Sequence, residues 1–256
     1  MARPKSEFLS AWGRAFEIFK VIVDVVLDLG GNDEDLLRLL KDRERVSMIG
    51  RIIIQKIDAT ESDYFTPIPD AEVPEHHKET LAKYRKRATS WGVAATTAVC
   101  YRVRAGFTIR SHAAKMGPCV EDFKHLENLN FPDEPTSDCI VFFIPCMVPN
   151  STSKTYGEQR DLLEVLRTQD DLSEHHLFGF GKVALLAGLI LAHYKATGEQ
   201  ITLNGLWVRT DTCNADRRRL ELCWYGGRLA CSDWVGDGDR DARIGVFALG
   251  VEKVGS

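Results

Sequence analysis

The residues best suited to chemistry lie close together, in the segment from Trp207 to Arg243. This segment holds seven arginines, six aspartates and three of the chain's five tryptophans, but no lysine. Arginine pairs bidentately with carboxylates and stacks on aromatic rings, whereas aspartate attracts basic groups. A run so rich in both charges and in tryptophan is compatible both with a surface that binds a ligand and with an ordinary surface loop, and the pattern alone does not decide between them.

Large apolar residues in this segment alternate with side chains of unrelated chemistry. Leu220, Leu222 and Trp224 are each followed by a residue of a different class, which predicts a strand with one anchored face and a turn at Gly226-Gly227. We expect the scaffold to include Trp207, Trp224, Trp234 and Phe247. The binding surface is expected to comprise Asn214, Asp216, Cys223, Tyr225, Arg228, Ala230, Ser232, Asp233, Val235, Asp237, Asp239, Asp241, Ala242 and Arg243.

Such a surface suits binding rather than catalysis. Tyr225 offers the rigid amphipathic contact that dominates antibody-like binding sites. Asp233, Asp237 and Asp241 give the surface an acidic side that favours a basic partner. We expect an unknown macromolecular ligand, a protein in preference to a glycan, because the surface is broad rather than a single pocket. No catalytic residue and no cofactor is assigned.

Several residues resemble fragments of metal or redox sites. Asp237–Asp241 begins like a calcium loop, but Ala242 stands where the loop requires glycine and Ala248 where it requires glutamate. We assign no metal ligand, and leave open whether an ion supports the acidic loop 233–241. The adjacent histidines at 76–77 and 175–176 are expected to be solvated. Seven scattered cysteines show no zinc-site spacing and predict reduced thiols.

Composition sets the broad class. Thirty-three Lys and Arg against 37 Asp and Glu give a net charge of -4, so there is no global basic footprint for nucleic acid. No stretch reaches the roughly 18 apolar residues of a membrane span. The first residues do not resemble a secretory signal. We therefore expect a cytoplasmic protein that binds no membrane and is unlikely to bind nucleic acid.

The chain divides into three parts by pattern. Residues 1–58 predict a module of three short helices, 59–96 a linker with a connecting helix, and 97–256 an α+β domain. The helical module leaves an alternative open, in which residues 32–57 form a helix-turn-helix and the protein is a DNA-associated regulator with a sensor domain.

Hydrophobic periodicity gives the elements of the main domain. A period of two predicts a hairpin over 99–110, and the apolar run CIVFFIPCMV predicts a central buried strand over 139–148. Helices are predicted over 120–129, 156–168 and 181–197, and a last strand over 244–251.

The C-terminal stretch of about 80 residues resembles variable proteins of diversity-generating retroelements, and more narrowly uncharacterised examples from candidate-phyla bacteria. The matching segments are HLFGFGKVALLAGLILAHYKATGE, LNGLWVRTDTC, RRLELCWYGGRLACSDW and RIGVFALGVE. The resemblance implies a C-type lectin fold, of the branch shared with formylglycine-generating enzymes, for residues 97–256. Residues 97–206 match only by element order, and the N-terminal helices do not match. Cys223 and Cys231 are candidates for that branch's catalytic cysteines, but no catalytic context surrounds them, and we expect no enzyme.

The resemblance also implies a mechanism of variation. In this family, adenines of template asparagine codons are randomised, and such codons cannot yield Lys, Glu, Gln, Met or Trp. The absence of lysine from residues 207–243 agrees with this chemistry. Asn214 is then an unmutated template residue, the tryptophans are fixed, and Glu221 ranks below its neighbours. The function implied is ligand binding through a hypervariable surface.

Overall fold

The computed structural model describes residues 64–173, 175–176, 180–201 and 205–253, together with Asn32 and Lys41. For Trp234 it describes only the backbone. Residues 64–253 belong to one compact unit, Asp63–Ser256. The helical module predicted over 1–58 and the helix-turn-helix alternative over 32–57 lie outside the described residues, apart from the two isolated positions.

Within the described ranges, eight strands form two four-stranded sheets. Sheet A has the order β1-β2-β3-β8, and all its pairs are antiparallel. Sheet B has the order β6-β5-β4-β7, in which β7 runs parallel to β4 and the other pairs are antiparallel. Their bounds are β1 Phe65–Pro67, β2 Val99–Val103, β3 Cys139–Met147, β4 Trp207–Cys213, β5 Arg218–Tyr225, β6 Arg228–Gly236, β7 Ile244–Gly245 and β8 Phe247–Lys253.

Helices lie between and beside the strands, so the fold is mixed α+β. The α-helices are α1 Glu75–Ser90, α2 Ile109–Met116, α3 Tyr156–Gln169 and α4 Val183–Thr197, with 3-10 turns at Asp70–Glu72, Ala95–Thr97 and Val120–Asn128. None of the helices in the described part of the chain has the length and hydrophobicity needed to cross a membrane.

Strand β3 accounts for the continuous apolar run CIVFFIPCMV, because both faces of the strand are buried. Val141 and Phe143 pack in the larger core with α4 and sheet B, whereas Phe142 and Ile144 pack in a second core with α1 and α3. A strand covered on both faces needs apolar residues at every position. The prediction of a central buried strand is confirmed.

Helix α4 lies in the larger core and is buried over most of its length. Gly188 faces the ring of Phe65, and a Cβ at this position would overlap that ring. The helix ends at Gly198, whose φ of 73° is the left-handed conformation typical of a glycine cap. The predicted helices over 156–168 and 181–197 are both confirmed, as α3 and α4.

The hairpin predicted over 99–110 is wrong. Strand β2 pairs with β1 and β3, and residues from Ile109 onward form α2. The carboxylate of Asp133 accepts hydrogen bonds from the backbone N–H groups of Ile109 (3.0 Å) and Arg110 (3.1 Å). The first N–H groups of this helix are thus satisfied by a residue more than twenty positions away. The alternation of apolar and polar residues over 99–110 does not reveal this partner.

Three other segments differ in detail from their predictions. The helix predicted over 120–129 is a 3-10 segment, Val120–Asn128, with positive φ at 121–123. Within the predicted linker, 59–96, residues 65–67 pair with β2, and α1 packs on sheet A. The last predicted strand is divided: Ile244–Gly245 pairs with β4 in sheet B, and Phe247–Lys253 pairs with β3 in sheet A. The chain therefore passes from one sheet to the other at Val246.

Candidate ligand-binding surface

The hairpin of β5 and β6 positions half of the predicted surface residues, and the other half lies in the loops that flank it. Tyr225 pairs with Arg228 beside the turn, and Arg218 pairs with Gly236 at the opposite end. Strand β5 has eight residues, which span about 25 Å at roughly 3.3 Å per residue. The predicted surface is therefore divided between a hairpin tip and a hairpin base, and it is not one contiguous patch.

The hairpin tip presents Tyr225 and Arg228. Tyr225 is 73% exposed and Arg228 is also exposed, and no ion pair of Arg228 occurs among the described residues. Gly226 and Gly227 have φ values of 56° and 80°, which form a tight turn that a side chain would strain. The ring of half-buried Trp224 packs 5.4 Å from that of Tyr194 on α4 and anchors the tip.

Asn214 organises the hairpin base. Its side-chain oxygen accepts hydrogen bonds from the N–H groups of Asp216 (3.0 Å) and Arg218 (2.9 Å), which closes the turn into β5. Its amide donates to Asp233 on β6 at 2.7 Å. Asn214 is half-buried and stabilises the turn, so it has a structural role in addition to any role in ligand binding.

The carboxylates of the acidic loop after β6 accept hydrogen bonds from the loop itself and from strands β5 and β6. Asp237 accepts hydrogen bonds from Nε and Nη2 of Arg219 at 2.6 and 3.1 Å, and this contact lowers the pKa of Asp237. Asp239 accepts the N–H of Gly236 at 2.8 Å. Asp241 accepts the N–H and the guanidinium of Arg243, and the guanidinium contact lowers its pKa.

These pairings change the expected role of the acidic residues. The predicted acidic side, which was to attract a basic partner, consists of carboxylates already bound by Arg219, Arg243 and Asn214. By contrast, the exposed Arg217, Arg218 and Arg228 have no ion pair among the residues described. The charge left available on the hairpin is mainly positive, which favours an acidic partner.

A buried polar cluster lies beneath the acidic loop. Arg209 is fully buried on β4, directly opposite Glu221 on β5. Its guanidinium donates to Oε1 of Gln159 at 2.8 Å and to the carbonyl of Asp239 at 3.3 Å. Burial lowers the pKa of Arg209, and the negative charge of Glu221 opposes that shift. This cluster ties the loop backbone to α3 and the sheet.

Sequence reasoning missed this cluster. The arginine and the glutamate lie 12 positions apart, and only the β4–β5 register brings them together. A charged residue on an inner strand is the available signal, since such residues are buried only when they are paired.

Three of the predicted surface residues are buried, which corrects their assignment. Cys223 is 3% exposed, Ala230 8% and Val235 4%. Cys223 and Ala230 face each other across the β5–β6 pair, and β5 is an inner strand with neighbours on both sides. The remaining residues of the predicted set are exposed or half-buried: Asn214, Asp216, Tyr225, Arg228, Ser232, Asp233, Asp237, Asp239, Asp241, Ala242 and Arg243.

The two cysteines of the hairpin are free and buried. Burial raises the pKa of Cys223 to about 12 and raises that of Cys231 well above its usual value. Both sulfurs are therefore thiols at neutral pH, whereas nucleophilic or redox chemistry requires thiolates.

The expected scaffold residues differ in how deeply they are buried. Phe247 is fully buried against Phe143, with ring centroids 5.4 Å apart, and Trp207 and Trp224 are half-buried. The side chain of Trp234 lies outside the described part of the structure.

A second polar cluster joins the two histidine pairs, contrary to the expectation that both are solvated. His77 and His176 are buried, and each lies 2.9 Å from a different carboxylate oxygen of Glu252 on β8. The hydroxyl of Tyr84 lies 3.4 Å from Nδ1 of His176. Gly250 makes room for these groups, since a Cβ there would overlap both His176 and Tyr84.

This histidine cluster makes stability depend on pH. Burial lowers the pKa of both His77 and His176 below the ordinary 6.5, although Glu252 acts in the opposite direction. In that case the unfolded chain binds more protons than the folded chain as the pH falls below 6.5. The histidines therefore do not lower the free energy of unfolding above this pH, and they lower it progressively as the pH falls below it.

No three His, Cys, Asp or Glu side chains within the described ranges are placed to hold a metal ion, and this includes the acidic loop after β6. No family model, no curated protein and no solved structure matches this chain.

Proposed function

We propose that this protein is a non-catalytic ligand-binding protein whose binding surface is built on the β5–β6 hairpin and its flanking loops. The observation that carries the proposal is the contrast within the hairpin. Leu220, Leu222 and Leu229 are fully buried, while Tyr225 and Arg228 project from the same two strands. An aromatic ring beside a guanidinium on a fixed turn is a typical anchor for a protein partner.

The rigidity of the support favours binding. The acidic loop is held by Arg209 and Arg219, and the turn into β5 is held by Asn214. A surface whose backbone is already ordered loses less conformational entropy when a ligand binds. The exposed arginines further suggest that the partner presents carboxylates, a change from the basic partner expected from the sequence.

We further propose that the surface is a diversified one on a C-type lectin scaffold. Support comes from the order of elements, with the apolar helix α4 followed by tryptophan-bearing β4, the glycine-turn hairpin and the aromatic strand β8. The absence of lysine from residues 207–243 supports adenine-directed mutagenesis of asparagine codons.

The test is to sequence the gene and its flanking DNA from many cells of the source population. We expect substitutions at adenines of a nearby near-copy, beside a reverse-transcriptase gene. They should concentrate at codons of exposed residues such as Asp216, Tyr225 and Arg228, and spare those of Leu220 and Leu222. An invariant 3′ end without a template would contradict diversification, as would substitutions spread evenly over exposed and buried positions.

Binding itself is tested separately by displaying a library randomised at the exposed tip and base positions. Selection against a panel of acidic proteins should enrich binders that lose affinity when Tyr225 and Arg228 are changed to alanine. The matched control library is randomised at exposed positions of α1, such as Lys78 and Lys86, and should yield none. Equal yields from both libraries would refute a special role for the hairpin.

A further inference from the structure

A cleft of about 500 Å³ opens between α3, the start of α4 and β4, away from the hairpin tip. Its walls include Tyr156, Arg160, Phe180, Lys182, Leu185 and Asp211. This volume falls within the usual range for small-molecule sites. No local pattern indicates this cleft, because its residues come from four separate segments of the chain.

On the polar wall of the cleft, the negative charge of Asp211 is neutralised by its neighbours. Tyr156 donates its hydroxyl hydrogen to Oδ1 of Asp211 at 2.6 Å, and Nη1 of Arg219 donates to the same oxygen at 2.9 Å. The guanidinium of Arg219 lies 3.6 Å from the ring centroid of Tyr156. Burial, together with the bond to Asp211, raises the pKa of Tyr156 to about 12, so the phenol stays neutral. Asp211 therefore brings no unbalanced negative charge to the cleft.

The remaining charges of the cleft are positive. Arg160 is exposed, and no carboxylate in the described part of the chain pairs with it. Lys182 lies 3.5 Å from Glu134, but both side chains are about half exposed, and such a contact is weak and easily exchanged.

The start of α4 adds to this positive potential. Gly181 and Lys182 lead into the helix and line the cleft, and the first turn has no acidic residue. The N–H of Val183, the first residue of the helix, donates to the hydroxyl of Thr212 at 2.9 Å, a neutral group that leaves the positive end of the helix uncompensated by charge. The N-terminus of a 15-residue helix carries a partial positive charge that favours anions.

Apolar groups form the rest of the cleft. Phe180 packs against Tyr156 with ring centroids 4.3 Å apart, and Leu185 and Val251 complete the surface. Two cations and a helix N-terminus thus stand beside rings and aliphatic side chains.

We propose that this cleft is a binding site for a small aromatic carboxylate. The carboxylate of the ligand pairs with Arg160 on α3 and with Lys182 at the start of α4. The ring of the ligand packs on Phe180 and Leu185. The lining residues of the cleft are not part of the hairpin surface, although Arg219 contacts both Asp211 in the cleft and Asp237 in the acidic loop. The site does not rest on the proposed function, and either can fail alone.

The test is an NMR titration of the full ¹⁵N-labelled chain with 2-naphthoate. We expect saturable shifts of the amide signals of Gly181, Lys182 and Asp211. The neutral analogue 2-naphthalenemethanol should bind about tenfold more weakly, because it lacks the charge-assisted hydrogen bonds. No saturation below about 10 mM would overturn the proposal, as would equal binding of both compounds or shifts located elsewhere.

Substitutions assign the effect to the cleft. Arg160→Gln and Lys182→Gln change exposed side chains, so the fold is preserved, and together they should weaken 2-naphthoate binding by about tenfold or more. Lys86→Gln removes an exposed cation on α1, outside both the cleft and the hairpin surface, and should leave the binding unchanged. If Lys86→Gln weakens binding as much as the cleft variants do, the compound responds to general surface charge and the proposal is wrong.

Discussion

Replacing Arg209 by methionine removes a buried charge while keeping the length of the side chain. The guanidinium is fully buried opposite Glu221, and it donates to Gln159 and to the carbonyl of Asp239. Breaking a buried charge pair by removing one partner typically costs about 3–5 kcal/mol, because the other charge stays in the interior. For a unit of this size, that corresponds to a fall in Tm of roughly 6–20 °C.

Urea unfolding followed by circular dichroism measures this cost. Arg102→Met is the matched control, since Arg102 is an exposed strand arginine, and its change should stay within about 0.5 kcal/mol. The double variant Arg209→Met/Glu221→Gln should lose less stability than the sum of its single changes, by about 1 kcal/mol or more. A cost below about 1 kcal/mol for Arg209→Met, or strict additivity, would refute the idea that this pair supports the loop.

Three further results are expected. The free energy of unfolding should be flat between about pH 7 and pH 8 and fall below about pH 6.5, and His176→Gln should reduce this fall more than the exposed His175→Gln does; identical profiles would contradict the linkage. Gly250→Ala should cost about 1–3 kcal/mol in urea unfolding through overlap with His176, and a neutral effect would show that the cluster rearranges freely. Tyr225→Ala should leave the Tm nearly unchanged in calorimetry, whereas Val235→Asp buries a charge and should lower it strongly; equal effects would contradict the difference in their burial.

Patterns that are local in sequence predicted their elements well. Strand β3 is a continuous apolar run, α4 is apolar with a glycine cap, and the glycine pair at 226–227 forms the turn between β5 and β6. In each case the residues that decide the structure are neighbours in sequence, so propensity and packing agree.

Features that depend on distant partners escaped prediction. Asp133 converts the alternating residues after Phe107 into the start of a helix, and no local pattern shows this. The two histidine pairs appear polar in sequence, yet Glu252 draws one member of each into the interior. Cys223 was assigned to the surface because strict alternation assumes one wet face, whereas β5 is buried on both faces from Arg219 to Cys223.

The composition of the proposed binding surface was predicted more accurately than its geometry. Tyr225 and Arg228 are exposed as expected, but the carboxylates that defined an acidic patch are engaged by Arg219 and Arg243. Counting charges along a chain does not show which of them neutralise one another across a loop.

The pairing of β3 with β8 has a consequence for synthesis of the protein. Cys139 lies opposite Lys253, so more than a hundred residues must be translated after the start of β3 before its second neighbour exists. At roughly 5–20 residues per second, a ribosome takes on the order of 5–20 s over that distance. During this interval an apolar strand, CIVFFIPCM, has an open edge of the kind that seeds aggregation. We therefore expect the nascent chain to be a substrate for holding chaperones until β8 has emerged, with soluble yield rising as chaperone supply rises.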